Sequence, residues 1–176
     1  MADPLWENPR MKSHIWGPLA PLGFALALLV FVVDQAHKWW MLNIYDIGAR
    51  GPVPFTPFLD LLLVWNKGVS YGLFDTKAQG ILVGLSLFVC CVLWIWLCRS
   101  HRPVTVAALG LVIGGAMANA LDRLIHGAVA DFFQLHWNTW NWYVFNLADM
   151  AIVAGVALLL YESFRERNGT SGLGNA

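Results

Sequence analysis

The chain has 176 residues, of which 58 % are hydrophobic and only 12 % are Asp, Glu, Lys or Arg. Soluble globular domains carry about 25 % charged residues, so this composition leaves too little polar surface for a water-soluble fold and favours an integral membrane protein. The 11 basic and 11 acidic residues balance to zero, and no basic stripe indicates a nucleic-acid partner. The three cysteines form neither a CxxC pair nor a disulfide framework.

Four segments meet the requirement of roughly 20 mainly apolar residues for a membrane-spanning helix. We expect these helices at about 15–42, 78–98, 103–125 and 142–163. The uninterrupted apolar part of the fourth, 150–161, would cover only about 18 Å at helical rise. Extending it back to Trp142 completes the span and places Asp149 inside the membrane, near one face.

Residues 43–77, between the first two helices, are expected to form a small, partly β module outside the membrane. Prolines and glycines punctuate this segment, and its apolar run 61–65 is too short to cross the membrane and indicates a strand. The sequence therefore predicts a mainly α membrane protein with four transmembrane helices. We expect residues 1–168 to form one integral-membrane domain and residues 169–176 to be a disordered tail.

Basic and aromatic residues indicate which side of the membrane each helix end faces. The tight loop 99–102, with the sequence Arg-Ser-His-Arg, is the clearest cytoplasmic signal. Aromatic residues typical of the opposite interface follow the first helix and precede the fourth: Trp39, Trp40, Tyr45, Trp137, Trp140, Trp142 and Tyr143. We therefore expect both termini in the cytoplasm and the β module on the outer face.

Several charged residues lie at the predicted helix ends, where membrane burial is costly unless they face a protein interior or a water-filled cavity. Asp34 and Lys38 are four residues apart, in the order that favours a helical ion pair. They either anchor the end of the first helix or present Lys38 to a lipid headgroup or a substrate carbonyl.

The third helix combines small residues with a polar end. Gly110 and Gly114 form a small-xxx-small pattern that allows another helix to approach closely. Asn119, Asp122 and Arg123 follow at spacings of three and four residues and share one face. They either satisfy one another where the helix leaves the membrane or contact a reaction centre.

Asp131 and Asp149 are the acids for which catalysis is best indicated. Apolar neighbours leave Asp131 poorly solvated, and Asn146 lies on the same helical face as Asp149. Two carboxyls held about 3 Å apart tend to share one proton. The ionised member can activate water against an amide carbonyl while the protonated member donates to the carbonyl oxygen, with no metal or cofactor.

The residues alone leave other interpretations open. Gly68-Val69-Ser70-Tyr71-Gly72 matches the Gly-x-Ser-x-Gly pattern of a serine nucleophile. A metal site from His126, Asp131 and His136 would lack the His-Glu-x-x-His spacing of zinc proteases, and we expect none. Asp122 is a third candidate for the acid pair. Intramembrane acids also serve as proton relays in transporters, and a scaffold protein would use them only to hold helices together.

Five motifs, in order, resemble the bacterial lipoprotein signal peptidase (signal peptidase II) family. They are Asp-Gln-Ala-His-Lys (34–38), Asn-Lys-Gly-Val-Ser (66–70), Gly-Gly with Asn-Ala-Leu-Asp-Arg three residues later (114–123), Val-Ala-Asp-Phe (129–132) and Phe-Asn-Leu-Ala-Asp (145–149). Each motif is weak alone, but five in order on the expected membrane layout are specific. The resemblance covers about 33–152.

This resemblance implies an intramembrane aspartic endopeptidase of the bacterial inner membrane, with its active site near the periplasmic face. It would remove signal peptides from diacylglyceryl-modified prolipoproteins, on the amino side of the lipidated cysteine. Asp131 and Asp149 correspond to the catalytic pair. The motifs place Asn119, Asp122, Arg123 and Asn146 in the polar shell around that pair, and they place Asp34, Lys38, Asn66 and Gly68 near the substrate or the cyclic-peptide inhibitor globomycin.

The resemblance implies prolipoproteins and membrane lipid as partners, with no cofactor and no nucleic acid, and we expect a monomer. Val69 and Ser70 stand where the family often has two alanines, and Ala130 stands where it often has valine. These departures affect the shape of the pocket rather than the aspartates, so they bear on signal-peptide preference.

Overall fold

The computed structural model describes the backbone of residues 16–68 and 76–171, and the side chains of 16–68 and 79–166. Four long helices form the body of the protein: α1 (Ala20–Asn43), α3 (Thr76–Arg99), α4 (Pro103–His126) and α5 (Leu147–Ser171). A short helix, α2 (Ile47–Arg50), and strands β1 (Val53–Thr56) and β2 (Leu59–Asn66) lie between α1 and α3. Strands β3 (Val129–Trp137) and β4 (Trp140–Phe145) lie between α4 and α5.

Each long helix is long and apolar enough to cross a membrane, which confirms the four predicted spans within the described residues. In the most apolar 18-residue segment of α4, 61 % of the residues are buried, whereas the corresponding share is 22 % in α1 and 17 % in α5. Apolar side chains on the outer helices therefore face outward, where lipid surrounds them. The backbone groups of each helix form hydrogen bonds within that helix, as a membrane requires. α4 is the central helix of the bundle.

Glycines allow α4 to pack against its neighbours at backbone distance. A Cβ added at Gly114 would lie 2.4 Å from the carbonyl oxygen of Ala27 on α1, and one added at Gly115 would lie 2.5 Å from that of Ala148 on α5. No side chain fits at either position. The predicted small-xxx-small pair, Gly110 and Gly114, faces α1, since a Cβ added at Gly110 would lie 2.7 Å from the carbonyl oxygen of Gly23. This packing brings the polar end of α4 against the first turn of α5.

The four strands form one antiparallel sheet in the order β1-β2-β3-β4. The predicted strand 61–65 lies within β2, which pairs with β3 so that Val64 faces Asp131. Phe132 of β3 packs in a buried cluster with Met41 of α1 and Ile47 of α2. The sheet is therefore fixed to the end of the helical bundle, with Asp131 at the junction.

The connection between α4 and α5 differs from the prediction. The fourth helix was expected from about 142 but begins at Leu147, because residues 140–145, rich in aromatic and β-branched types, form β4 instead. The β module thus draws on 129–145 as well as on 53–66, which lies within the predicted module 43–77. α5 gains its length at the other end, where its backbone stays helical to Ser171. The expected tail 169–176 therefore begins within this helix, and its residues 172–176 lie outside the described part of the chain.

Candidate active site

The first turn of α5 holds one of the two candidate carboxyls. Asn146 precedes the helix, and its side-chain Oδ1 accepts a hydrogen bond from the backbone N–H of Asp149 at 2.9 Å. In return, Oδ2 of Asp149 accepts from the backbone N–H of Asn146 at 3.3 Å. This reciprocal pair is a capping box, which satisfies two donors at the helix start. The Phe-Asn-Leu-Ala-Asp motif therefore fixes the Asp149 carboxyl at the end of the helix where the dipole favours negative charge.

The second carboxyl, Asp131, comes from β3 and meets the first through Asn146. Asp131 is 1 % exposed. The side-chain amide Nδ2 of Asn146 donates to Oδ1 of Asp131 at 2.6 Å. Asn146 thus contacts Asp131 through its side chain and Asp149 through its backbone N–H, so one residue sets the relative position of the pair.

Asn119 on α4 supports the pair from the bundle side. Its Nδ2 donates to Oδ1 of Asp149 at 2.8 Å, and its Oδ1 accepts from Nδ2 of Asn146 at 3.1 Å. The same oxygen accepts from Nζ of Lys38 at 3.1 Å. Since the amide is held from both ends, its Nδ2 is directed at the carboxyl of Asp149.

The environment of Asp131 favours the protonated acid. Burial is the largest of the effects that together raise the pKa of Asp131 to about 6. The neighbouring Asp149 acts in the same direction, while hydrogen bonds from Asn66 and Asn146 and the charge of Lys38 act in the opposite direction. A carboxyl in this range can hold and release a proton near neutral pH, as a general acid requires.

The loop after β2 completes the surroundings of Asp131 on the outer side. Nδ2 of Asn66 donates to Oδ2 of Asp131 at 3.1 Å, and Oδ1 of Asn66 accepts from the backbone N–H of Gly68 at 2.8 Å. This Asx turn fixes the Asn66 side chain. Gly68 has φ +83°, a conformation that glycine adopts without strain. The motif glycine therefore orients the asparagine that contacts the acid.

A cavity of about 710 Å³ opens beside these residues. Asp131 and Asn66 line it together with Gly68, Trp142 and Tyr143. It therefore joins an acidic side chain to aromatic walls contributed by β4. The two aromatic residues were predicted as an interface belt rather than as part of the site, because the sequence does not show that 140–145 turns back along β3.

Arg123 is a further charged group near the pair. Its Nη1 donates to the carbonyl oxygen of Asn119 at 3.3 Å. It lies close enough to Asp149, Asp122 and Asp131 for their charges to act on it. Its buried Nε has no hydrogen-bond partner within the described residues, so the guanidinium retains an unused donor.

Lys38 lies behind the pair in a buried ionic cluster. Its Nζ is 2.8 Å from Oδ2 of Asp34 and 2.7 Å from Oδ2 of Asp122. With the bond to Asn119, three acceptors occupy the three N–H donors of the ammonium. Of the two predicted interpretations, this geometry favours the structural one. It places Asp122 beside Lys38, while Asn146 links Asp131 to Asp149.

Gln35 belongs to this cluster and was not predicted as a site residue. Its Nε2 donates to Oδ1 of Asp122 at 2.8 Å. Its position next to Asp34 in the first motif was the one indication in the sequence that Gln35 belongs to the site. Its hydrogen-bond partner, Asp122, lies on another helix, which the sequence does not show. The histidines of the rival sites have other neighbours: His136 lies 3.3 Å from Asp60, and His126 packs on Trp65. Ser70 of the alternative nucleophile motif lies outside the described residues.

Comparisons with known proteins agree with this geometry. Among curated proteins, the lipoprotein signal peptidase of Beijerinckia indica is 49 % identical over 146 residues, which cover 81 % of this chain and 87 % of that protein. The lipoprotein signal peptidase of Nitrobacter hamburgensis is 48 % identical over 149 residues, covering 81 % of this chain and 91 % of that protein.

A solved structure of a bacterial membrane enzyme has the same fold, with a TM-score of 0.73 at 22 % identity, covering 93 % of this chain and 97 % of that one. A second such structure gives a TM-score of 0.71 at 21 % identity. The family model described as "Signal peptidase (SPase) II" matches residues 26–165, which include every polar group of the site. The chain belongs to the signal peptidase II family.

Proposed function

We propose that this protein removes signal peptides from lipoprotein precursors by aspartic catalysis, with Asp131 and Asp149 as the catalytic pair. Family membership supports the reaction. The observation that carries the aspartic mechanism is the contact of Asn146 with both carboxyls, at 2.6 Å to Asp131 and 3.3 Å to Asp149. Asp131 also lines an open cavity, through which a substrate could reach the pair.

The two acids have different surroundings, which supports a division of roles. Asp149 is less buried than Asp131 and accepts hydrogen bonds from the Nδ2 of Asn119 and the backbone N–H of Asn146. Because Asp131 also accepts two hydrogen bonds, it is the lesser burial of Asp149 that suits it to act as the base. The pKa of Asp131, raised by burial to about 6, suits the acid.

The reaction then proceeds through two proton exchanges. Asp149 takes a proton from water, whose oxygen attacks the scissile carbonyl carbon, while Asp131 gives its proton to the carbonyl oxygen and a gem-diol forms. Asp149 next donates to the amide nitrogen, the C–N bond breaks, and Asp131 recovers a proton from a diol hydroxyl. Both carboxyls return to their starting state, with no covalent enzyme intermediate.

The substrate is proposed to be a diacylglyceryl-modified prolipoprotein, cleaved on the amino side of the lipidated cysteine. Acyl chains hold such a cysteine at the membrane interface, and the pair lies at the helix ends that adjoin the β module. A globomycin-type peptide would occupy the same cavity. We propose that the protein is a monomer. We also propose cytoplasmic termini and a periplasmic active site, because the basic loop between α3 and α4 lies at the opposite end of the bundle.

The test is cleavage of a diacylglyceryl-modified prolipoprotein by the purified protein in detergent. Asp131→Asn and Asp149→Asn should each lower kcat by about 10²–10⁴-fold, the usual contribution of a positioned acid or base. Asp60→Asn is the matched control, since that carboxyl lies on β2 beside His136. Ser70→Ala should retain activity. Thermal unfolding of each variant verifies the fold. Full activity in both catalytic-pair variants would overturn the mechanism.

A further inference from the structure

A second charged cluster lies at the opposite end of the bundle from the catalytic pair. Arg102, which precedes α4, lies 3.5 Å from Oε1 of Glu162 and also pairs with Glu166. Arg165 lies 3.1 Å from the same oxygen of Glu162. About 20 residues of α4 separate Arg102 from Asp122, or roughly 30 Å at helical rise. That length matches the hydrocarbon core of a bilayer, so the cluster lies at the other interface.

One oxygen of this cluster is buried and unused. The side chain of Glu162 is 5 % exposed, and its Oε2 has no hydrogen-bond partner within the described residues. Buried carboxylate oxygens are normally paired, because leaving one without a donor costs its lost hydration. Glu162 also lines a cavity of about 440 Å³. That volume greatly exceeds the roughly 30 Å³ occupied by one liquid water.

The rim of the cavity carries donors for an anion. The side chains of Arg102 and Arg165 are 51 % and 61 % exposed. Each guanidinium has five N–H donors, more than its contacts with Glu162 use, and the planar group suits phosphate oxygens. The exposed aromatic rings of Tyr161 and Phe164 flank Glu162 along α5. Aromatic residues of this kind are typical of the headgroup level of a membrane.

We propose that this cavity binds a phospholipid headgroup in which a primary ammonium is joined to a phosphodiester, the phosphoethanolamine class. The ammonium donates to Oε2 of Glu162, and the phosphate accepts from Arg102 and Arg165. The acyl chains lie along Tyr161 and Phe164. A trimethylated ammonium has no N–H for Oε2, and a glycerol headgroup has no cation. The deep acceptor and the donors at the rim therefore discriminate between headgroups of similar size.

Native mass spectrometry of the full chain tests this binding. The probe is an equimolar mixture of phosphatidylethanolamine and phosphatidylcholine with identical acyl chains. The wild type should retain phosphatidylethanolamine in about tenfold excess, the factor expected from one hydrogen bond to a charged group. Glu162→Gln should bring the ratio close to one. Asp60→Asn, the control, removes a carboxyl on β2 outside this cavity and should preserve the ratio. Arg165→Gln should lower retention of both lipids.

Two further outcomes separate the possible occupants. If the wild type retains both lipids equally, Glu162 does not recognise an ammonium and the proposal is wrong, whatever the variants do. If inorganic phosphate alone raises the melting temperature as much as phosphatidylethanolamine does, the cavity binds a free anion, which also overturns it. Thermal unfolding verifies that each variant is folded. None of these measurements uses peptide cleavage, so they are independent of the proposed catalytic pair.

Discussion

Asn66→Ala should move the alkaline limb of the pH profile of kcat/KM to higher pH. Nδ2 of Asn66 donates to Oδ2 of Asp131, stabilises the ionised carboxylate and so lowers the pKa of Asp131. If Asp131 must be protonated to act, activity falls as the pH rises through its pKa of about 6. Removing the donor raises that pKa, and the acid then stays protonated to higher pH.

The size of the shift follows from the strength of the lost bond. A hydrogen bond to a charged group contributes about 1.5–3 kcal/mol. Asn66 is exposed, so the lower end applies, which corresponds to about one pH unit. The ratio of activity at about pH 7.5 to that at about pH 5.5 should then rise roughly sixfold over the wild type. Because the acids interact, the measured limb belongs to the pair.

The assay measures kcat/KM for a labelled diacylglyceryl prolipoprotein between about pH 5 and about pH 9. Asn141→Ala is the matched control, because this exposed asparagine on β4 lies outside the hydrogen-bond network of the aspartates. The control should keep the wild-type limb. An unmoved limb in Asn66→Ala, or one at lower pH, would show that protonated Asp131 is not the acid.

Two further predictions concern the bundle that carries the site. Gly115→Ala should destabilise the protein by about 1–3 kcal/mol, because its Cβ would lie 2.5 Å from a backbone oxygen of α5. The control is Gly84→Ala, where nothing lies within 4 Å, and it should leave the melting temperature in detergent unchanged or slightly higher. An equal loss of melting temperature in both variants would refute the packing argument. Lys38→Met should cost about 3–5 kcal/mol, because it leaves Asp34 and Asp122 buried without their cation. The control is Lys67→Met, at an exposed position, which should change stability by less than about 0.5 kcal/mol in the same thermal assay. Similar melting temperatures for the two lysine variants would contradict the burial argument.

The sequence indicates most of the candidate site residues because polar side chains at apolar helix ends are costly and therefore conspicuous. Asn66 and Gly68 lie outside the helices, and only the family resemblance indicated them. Asn146 and Asp149 also carry a local signal, since their spacing of three residues is that of a capping box. Gly114 and Gly115 are equally local, because only the absence of a Cβ allows the observed helix separation. Each of these features depends on residues within one or two turns of each other.

The features that the sequence did not predict depend on contacts between distant segments. β3 pairs with β2 from the other side of two membrane helices, and this pairing makes 140–145 a strand instead of the start of a helix. Gln35 is polar in any structure, but its role follows from facing Asp122 across a helix interface. The unused oxygen of Glu162 likewise results from packing against the start of α4. No short-range pattern encodes these pairings.

The buried ionic cluster positions both carboxyls of the proposed catalytic pair at once. Oδ1 of Asp34 accepts from the backbone N–H of Ala148, which precedes Asp149, at 2.9 Å. Oδ2 of Asp122 accepts from the backbone N–H of Ala130, which precedes Asp131, at 3.2 Å. Lys38 joins these two acceptors, so each acid is held through the residue before it. A buried ion pair adds little net stability because desolvation offsets the attraction. The cluster instead fixes the geometry between β3 and α5, which separate segments of the chain supply. This common attachment holds the two carboxyls of the proposed pair in a fixed relative position.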